Sequence, residues 1–473
     1  MKVLFIEPPK EFWFVMGEYM PPPLGILELA AYIESKNYGW EIEVVDSQAG
    51  GFSWKQLEKF ISYSHPDVVV SSALATCNTY IVLRTLELAK KVDFEIKTVV
   101  GGQHFTALAH ESLQQYPEID FIVRGEGEIT LYELIKCLEQ NKSVKKVKGI
   151  SFRHGNGIIH NPDRPLIENL DNLPHPGYHL VKEHMNKYHF KMMAGSNAGY
   201  AMVEASRGCA YKCSFCSQWG HWSGKWRKKT PSRIVDEMEH LYQEYDISFI
   251  WLTDDNLKLG SIGAVCDELI NRGLSDDITW FLQARSDSII KNQRILPKMR
   301  KSGNYWVMAG LERHDDDTLI SYNKNIKSYD AKLSMDLLKK NDIFAQATLI
   351  TGDRKDSHES IEKLREFVNH VDPDIAIFMI LTPFPGTPLY ETAQRNGWLE
   401  DLNWSNYDMV HAVMPTEHLS RFEVQEELYQ CYQSYYGNMK RRITGLFSRN
   451  KFKKMTYRYM ASQGLLQSLR DLY

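Results

Sequence analysis

Twice along this chain, short apolar runs alternate with stretches of helical period over brief connections. That rhythm admits little except parallel sheets wrapped by helices, an α/β fold. In the first repeat, strands are expected at Val3–Ile6, Ile42–Val45, Val68–Ser71, Thr98–Val100 and Phe121–Val123, with helices near 24–36, 54–64, 78–92, 106–116 and 129–140. Sheets of this kind bind ligands at the carboxyl ends of their strands. Four polar or glycine-rich turns fall there: Glu7-Pro8-Pro9, Ser71-Ser72-Ala73, Gly101-Gly102-Gln103-His104 and Arg124-Gly125-Glu126-Gly127-Glu128. Their glycines let backbone approach a ligand closely. Each turn alone is equally an ordinary βα connection, but four in phase on one edge favour a ligand site.

The second repeat has longer periods. Strands are expected at 201–205, 248–252, 279–283, 306–310, 345–350 and 375–381, and helices at 231–245, 260–273, 289–301, 315–321, 328–341 and 357–370. Six such units make an incomplete (β/α) barrel, with chemistry at the strand carboxyl ends. The expected domains are 1–140, a linker with a small ribbon at 141–195 (turning at Gly155-Asn156-Gly157), a barrel at 196–395, and a helical region at 396–473. Residues 440–458 carry eight Lys and Arg and no acid, interleaved with Phe447, Phe452, Tyr457 and Tyr459. They read either as a face for an acidic or phosphate-bearing partner or as a solvated helix packing its aromatics on the barrel.

Composition removes several alternatives. Lys+Arg 56 against Asp+Glu 60 leaves a net charge of −4, so no global basic field invites nucleic acid. No apolar run reaches the roughly 18–20 residues of a membrane span. The start, MKVLFIEPP, reads as a strand rather than a secretory leader, so the expected location is cytoplasmic. Seven cysteines are too few, and odd in number, for a disulfide framework. Cys77, Cys137, Cys266 and Cys431 are scattered, as small buried hydrophobes are. Cys209, Cys213 and Cys216 cluster as C-x3-C-x2-C just after the first barrel strand. Zinc normally takes four ligands, and no fourth stands at zinc-finger spacing. Three thiolates on one loop instead suit a [4Fe–4S] cluster with one iron left open.

That spacing, with Phe215 before the last cysteine, resembles the radical S-adenosylmethionine (SAM) superfamily, and the N-terminal half resembles its cobalamin-binding subgroup. The resemblance implies a Rossmann-like cobalamin domain on a partial (β/α)6 barrel, with cofactors [4Fe–4S], SAM and cobalamin. It places SAM against three strand ends: Trp251-Leu252-Thr253-Asp254-Asp255-Asn256, Gln283-Ala284-Arg285-Ser286-Asp287 and Gly310-Leu311-Glu312. Asp255, Arg285 and Glu312 are the candidate contacts. Without that resemblance, Asp254 is equally a helix cap, and Arg285 with Glu312 equally a structural ion pair. Thr382-Pro383-Phe384-Pro385-Gly386 resembles the turn that closes the core. Cobalamin is implied along Ser71, Ser72, Gly101, Gly102, His104, Gly125, Glu126 and Gly127. The fingerprint D-x-H-x-x-G does not occur, and His104 is the nearest candidate at the lower cobalt face; it is equally an ordinary loop histidine.

Within the subgroup, Cys216–Trp222 and Val235-Asp236-Glu237 resemble the anaerobic magnesium-protoporphyrin monomethyl ester cyclase. The leading expectation is a methyltransferase acting on an unactivated carbon through a 5′-deoxyadenosyl radical and methylcobalamin. The subgroup's substrates include a glutamine of methyl-coenzyme M reductase, so a protein or a large metabolite is expected. Porphyrin ring closure is the alternative, and a non-catalytic cobalamin sensor a third. The resemblance also implies an electron donor such as a ferredoxin or flavodoxin.

Overall fold

The computed structural model describes residues 1–9, 19–191 and 199–463. Five parallel strands open the first sheet: β1 (Lys2–Glu7), β2 (Glu41–Asp46), β3 (Val68–Ser72), β4 (Lys97–Gly101) and β5 (Phe121–Val123). They run in the order β2-β1-β3-β4-β5. The runs Val3–Ile6, Val68–Val70 and Val99–Val100 are buried throughout, as helices on both faces require. The order reverses between β1 and β3, which sets the ligand crevice at their carboxyl ends. The ribbon expected in the linker is β6 (Ile150–His154) and β7 (Gly157–His160), and it pairs antiparallel onto β5, so it belongs to this sheet.

The second sheet has six parallel strands in chain order: β8 (Gly199–Val203), β9 (Ile247–Leu252), β10 (Thr279–Arg285), β11 (Asn304–Glu312), β12 (Phe344–Thr351) and β13 (Ile375–Ile380). This is a half barrel. Its interior is aromatic, with Phe281 stacked on Trp306 at 4.1 Å and on Trp251 at 5.1 Å. An open barrel leaves β13 with unpaired backbone groups. Helix Arg421–Tyr436 covers that edge: Tyr432 and Tyr436 donate to the Phe378 and Ala376 carbonyls at 2.9 and 2.8 Å, and their hydroxyls accept from the same residues' N–H groups.

Two helical readings need correction. The pattern at 106–116 breaks at Leu108 into Gln103–Ala107 and Ala109–Gln115, because the first helix starts early on Gly102. The pattern at 289–301 is two short helices, Ser286–Lys291 and Leu296–Lys301, joined by a 3-10 turn. The start of the expected helical C-terminal region is irregular up to Ser420 except for one short turn at Trp404–Asn406.

Candidate functional site

Gly102 shows why the edge of the first sheet has its sequence. Its φ of +97° suits glycine, and a Cβ there would collide with the Ala73 carbonyl. The β3 and β4 loops therefore touch backbone to backbone, leaving His104 in the first turn of the helix that follows. His104 is buried between Phe105 and Trp404, with ring centroids 5.3 and 5.0 Å away. Neither ring nitrogen has a hydrogen-bond partner among the described residues. Burial pushes its pKa down to about 4, so the imidazole is neutral near pH 7. A glycine cradle beside an orphaned neutral imidazole fits a bulky ligand that can supply a partner.

Ser72, Gly101, Gly102 and His104 share this edge, and several of the other candidates also have partners within the protein. Ser71 is fully buried and donates to the Ile6 carbonyl at 2.9 Å. Gly125 takes a φ of +69°, and a Cβ on Gly127 would press on Leu29. Glu126 points to the neighbouring barrel. It accepts from Arg207 at 3.0 Å, Arg227 at 2.8 Å and the Ile167 N–H at 2.6 Å. Arg207, two residues before the first cluster cysteine, also holds Glu128 (2.7 Å), Glu204 (2.6 Å) and Glu28 (3.3 Å). Four carboxyl groups thus surround one buried guanidinium at the seam between the sheets. Burial, then the neighbouring Glu204, pushes the Glu28 carboxyl up to about 8. A second seam contact joins Gln103 to the cluster loop, donating to Gln218 at 2.6 Å and accepting from the Ser217 hydroxyl at 2.9 Å.

The cysteine loop follows β8 directly. Gly208 has a φ of +91°, and a Cβ on it would collide with the Lys225 carbonyl, so the Trp222–Lys225 turn closes onto the residue before Cys209. Burial pushes all three thiols upward, Cys216 to about 12, with the nearby Lys324 and Arg285 charges opposing the shift at Cys213. Metal binding removes the proton from such thiols outright. Among the described residues no three His, Cys, Asp or Glu side chains converge on a single-ion point. In an iron–sulfur cube each thiolate takes a separate iron, so the loop fits the cluster without such convergence.

Around this loop stand the three strand-end groups. Arg285 stacks on Tyr211 of the cysteine loop at 3.8 Å, pairs with Asp287 at 3.0 Å and donates to the Lys324 carbonyl at 2.7 Å. Glu312, with a φ of +63°, pairs with the buried Lys324 at 2.6 Å. Arg285 and Glu312 therefore do not form the mutual ion pair that their positions allowed. Asp255 lies beside Trp222 and the Gly208 backbone, and burial pushes its carboxyl up to about 6. Asp254 is not a helix cap, since Lys258 occupies that place. It is buried beside Ser206, and burial pushes its carboxyl up to about 7 against the lowering effect of the Ser206 hydrogen bonds. Sequence reasoning did not find Lys324, Arg207 or Gln103. Gln103 lay inside a quoted motif, but only the packing of one sheet on the other gives it and Arg207 their partners.

A half barrel whose first loop carries C-x3-C-x2-C, with carboxylates and a guanidinium on the following strand ends, defines the radical SAM class. Residues 203–368 match the Radical SAM superfamily model, and residues 17–135 match the B12 binding domain model. The chain is 30% identical over 454 residues to the uncharacterized methyltransferase PH0819 of Pyrococcus horikoshii, covering 96% of each. It is also 30% identical to the anaerobic magnesium-protoporphyrin IX monomethyl ester cyclase of Rubrivivax gelatinosus, over 93% of this chain and 78% of that protein. Among solved structures, the radical SAM methyltransferase TsrM of Kitasatospora setae, with cobalamin and a [4Fe–4S] cluster bound, shares the fold at a TM-score of 0.76. Its identity is 15%, over 100% of this chain and 99% of that one. The chain belongs to the cobalamin-binding radical SAM family, and its cofactors are a [4Fe–4S] cluster, SAM and cobalamin.

Proposed function

We propose that this enzyme methylates an unactivated carbon, and that Cys209, Cys213 and Cys216 hold the cluster for it. The carrying observation is the hydrogen-bonded contact of Gln103 with Ser217 and Gln218, which brings the glycine-lined sheet edge against the cysteine loop. A methyl donor on one side and a hydrogen-abstracting centre on the other can then reach one substrate carbon. When bound, the cluster and SAM supply the abstracting radical and cobalamin supplies the methyl group.

The chain's own groups bind and orient. Arg285 would pair with the SAM carboxylate, while Glu312 and Asp255 would accept from its ammonium and hydroxyls. Lys324 pairs with Glu312 and holds its side chain in place. Gly101, Gly102 and His104 would line the corrinoid site, the glycines letting backbone approach it closely. Arg207 fixes the Gly125–Glu128 loop to the start of the cysteine loop, setting the separation of the two cofactor sites. The likeness to PH0819 over nearly all of both chains supports methyl transfer. The likeness to the cyclase supports oxidative ring closure as the second reading. A low-potential protein such as a ferredoxin or flavodoxin would supply two electrons per methylation, one for the reductive cleavage of SAM and one to return cobalamin to the state that a second SAM remethylates.

Anaerobic turnover of candidate substrates with CD3-labelled SAM tests this. A product carrying the labelled methyl supports methyl transfer. Turnover that yields 5′-deoxyadenosine and an unlabelled, oxidised product establishes ring closure instead.

A further inference from the structure

The helix α1 (Met439–Leu446), in the basic tail, is built inside out. Residues four apart advance about 40° around a helix, so Met439, Ile443 and Phe447 share a stripe about 80° wide. Those side chains are 63%, 52% and 78% exposed. The opposite face carries Arg441 and Gly445. The Arg441 guanidinium is held by Asp372 at 2.8 Å and Asn369 at 3.0 Å and lies over Tyr435 at 3.8 Å. Gly445 packs so tightly on the Tyr457 ring that a Cβ would collide with it. A solvated surface helix turns its apolar residues in and its cations out. Here three bulky apolar groups face outward while a cation and a glycine face the protein.

The segment that carries the stripe is also basic. Residues 437–463 contain eight Lys and Arg and no Asp or Glu, in a chain of net charge −4. Arg441 and Lys453 are paired with Asp372 and Asp374. Lys440, Arg442, Arg449, Lys451, Lys454 and Arg458 form no ion pair among the described residues. On the helical wheel, Lys440 and Arg442 fall on either side of the apolar stripe.

We propose that this outer face docks on an anionic lipid bilayer, with Met439, Ile443 and Phe447 entering the interface and the unpaired cations meeting the headgroups. A stable protein interface takes about 20–30 residues a side, which three side chains on a convex helix do not approach. A bilayer sets no such minimum: it accepts a convex apolar stripe, and its hold grows with apolar area and with each added cation.

The location gives the tether a direction. The next helix, α2 (Lys451–Gln463), packs Phe452 on Tyr305 at 4.8 Å and on Phe249 at 6.4 Å, and Lys453 reaches Asp374 at 2.8 Å. These barrel residues lie at the starts of β9, β11 and β13, whereas Arg285 and Glu312 end β10 and β11. A strand the length of β11 spans about 30 Å. The docked enzyme would therefore turn its cofactor edge away from the lipid and toward the aqueous phase. The face is a tether and leaves the reacting mouth free.

Vesicle co-sedimentation of the full-length holoprotein tests this. The probes are phosphatidylcholine vesicles, and the same vesicles with about a third phosphatidylserine, an anionic lipid of cytoplasmic leaflets. The expected result is binding to the anionic vesicles only, with release as salt screens the headgroup charge. Met439→Glu/Ile443→Glu/Phe447→Glu should weaken binding more than about tenfold while leaving the circular dichroism and corrinoid absorbance intact. Lys440→Gln/Arg442→Gln should weaken it roughly fivefold per charge. Should the triple variant not fold, Phe447→Ser gives the same comparison with a smaller change. A wild-type protein that stays in solution with anionic vesicles overturns the proposal, and so does equal binding by the stripe variant. A chain ending at residue 463 that binds while the full chain does not would show the last ten residues covering the stripe, and would also overturn it.

Discussion

Replacing Arg207 with leucine should cost about 3–5 kcal/mol, the usual price of stripping one partner from a buried ion network. Arg207 is 3% exposed and faces Glu28, Glu126, Glu128 and Glu204 within 3.3 Å. After the change Glu126 keeps Arg227 and the Ile167 N–H, but the other three carboxylates lose this cation. They crowd one another in a buried seam, so the variant should bind extra protons and suffer more at pH 8.5 than at pH 6. Glu28 already shows the direction. Its carboxyl keeps a proton in the folded protein up to about pH 8, while the unfolded chain sheds it near 4.5. Its contribution is therefore complete below pH 4.5 and is lost as pH rises through 8. The assay is anaerobic urea denaturation of wild type, Arg207→Leu and Arg207→Lys, reading the earliest transition at both pH values. Arg207→Lys retains the charge without the forked donor set and should fall between the other two. A loss below about 1 kcal/mol, or the same loss at both pH values, would refute a buried, proton-linked network.

Alanine at Cys209, Cys213 and Cys216 together should abolish the cluster, which iron and sulfide analysis with EPR would report; a retained cluster ends the assignment. Gly102→Ala combines a clash at Ala73 with a left-handed backbone cost of about 1–2 kcal/mol. It should lose corrinoid absorbance while keeping the iron, and full corrinoid retention would count against the cradle. Single alanine variants at Arg285, Glu312 and Asp255 should each weaken SAM binding roughly ten- to a hundredfold, as losing a charge-assisted hydrogen bond of about 1.5–3 kcal/mol implies. Unchanged affinity by equilibrium binding would assign those residues to structure alone. Tyr432→Phe/Tyr436→Phe leaves the β13 edge without four hydrogen bonds. It should lower stability by about 2–4 kcal/mol, and an unchanged denaturation midpoint would show that solvent satisfies that edge equally well.

Local chemistry explains why so much of this molecule was legible in one dimension. A buried parallel strand needs a run such as Val68-Val69-Val70 whatever surrounds it, and the helix at 231–245 announces itself by period alone. The three cysteines are readable for the same reason, since a cluster loop is a contiguous binding unit. Where reading failed, the deciding contact was remote. The ribbon at 150–160 joined the first sheet because β5 offered an unpaired edge. Arg285 and Glu312 took Asp287 and Lys324 because strand curvature at the barrel mouth sets which charge lies within reach. Glu126 found its partners in Arg207 and Arg227, residues more than eighty positions away. The outward face of α1 was likewise invisible, because a helix's apolar stripe faces inward unless the fold has already used its other side. Periodicity and short motifs are properties of neighbouring residues and survive in the chain itself. The partner of a buried charge is chosen by packing, where the cost of leaving it unpaired acts only once distant segments have met.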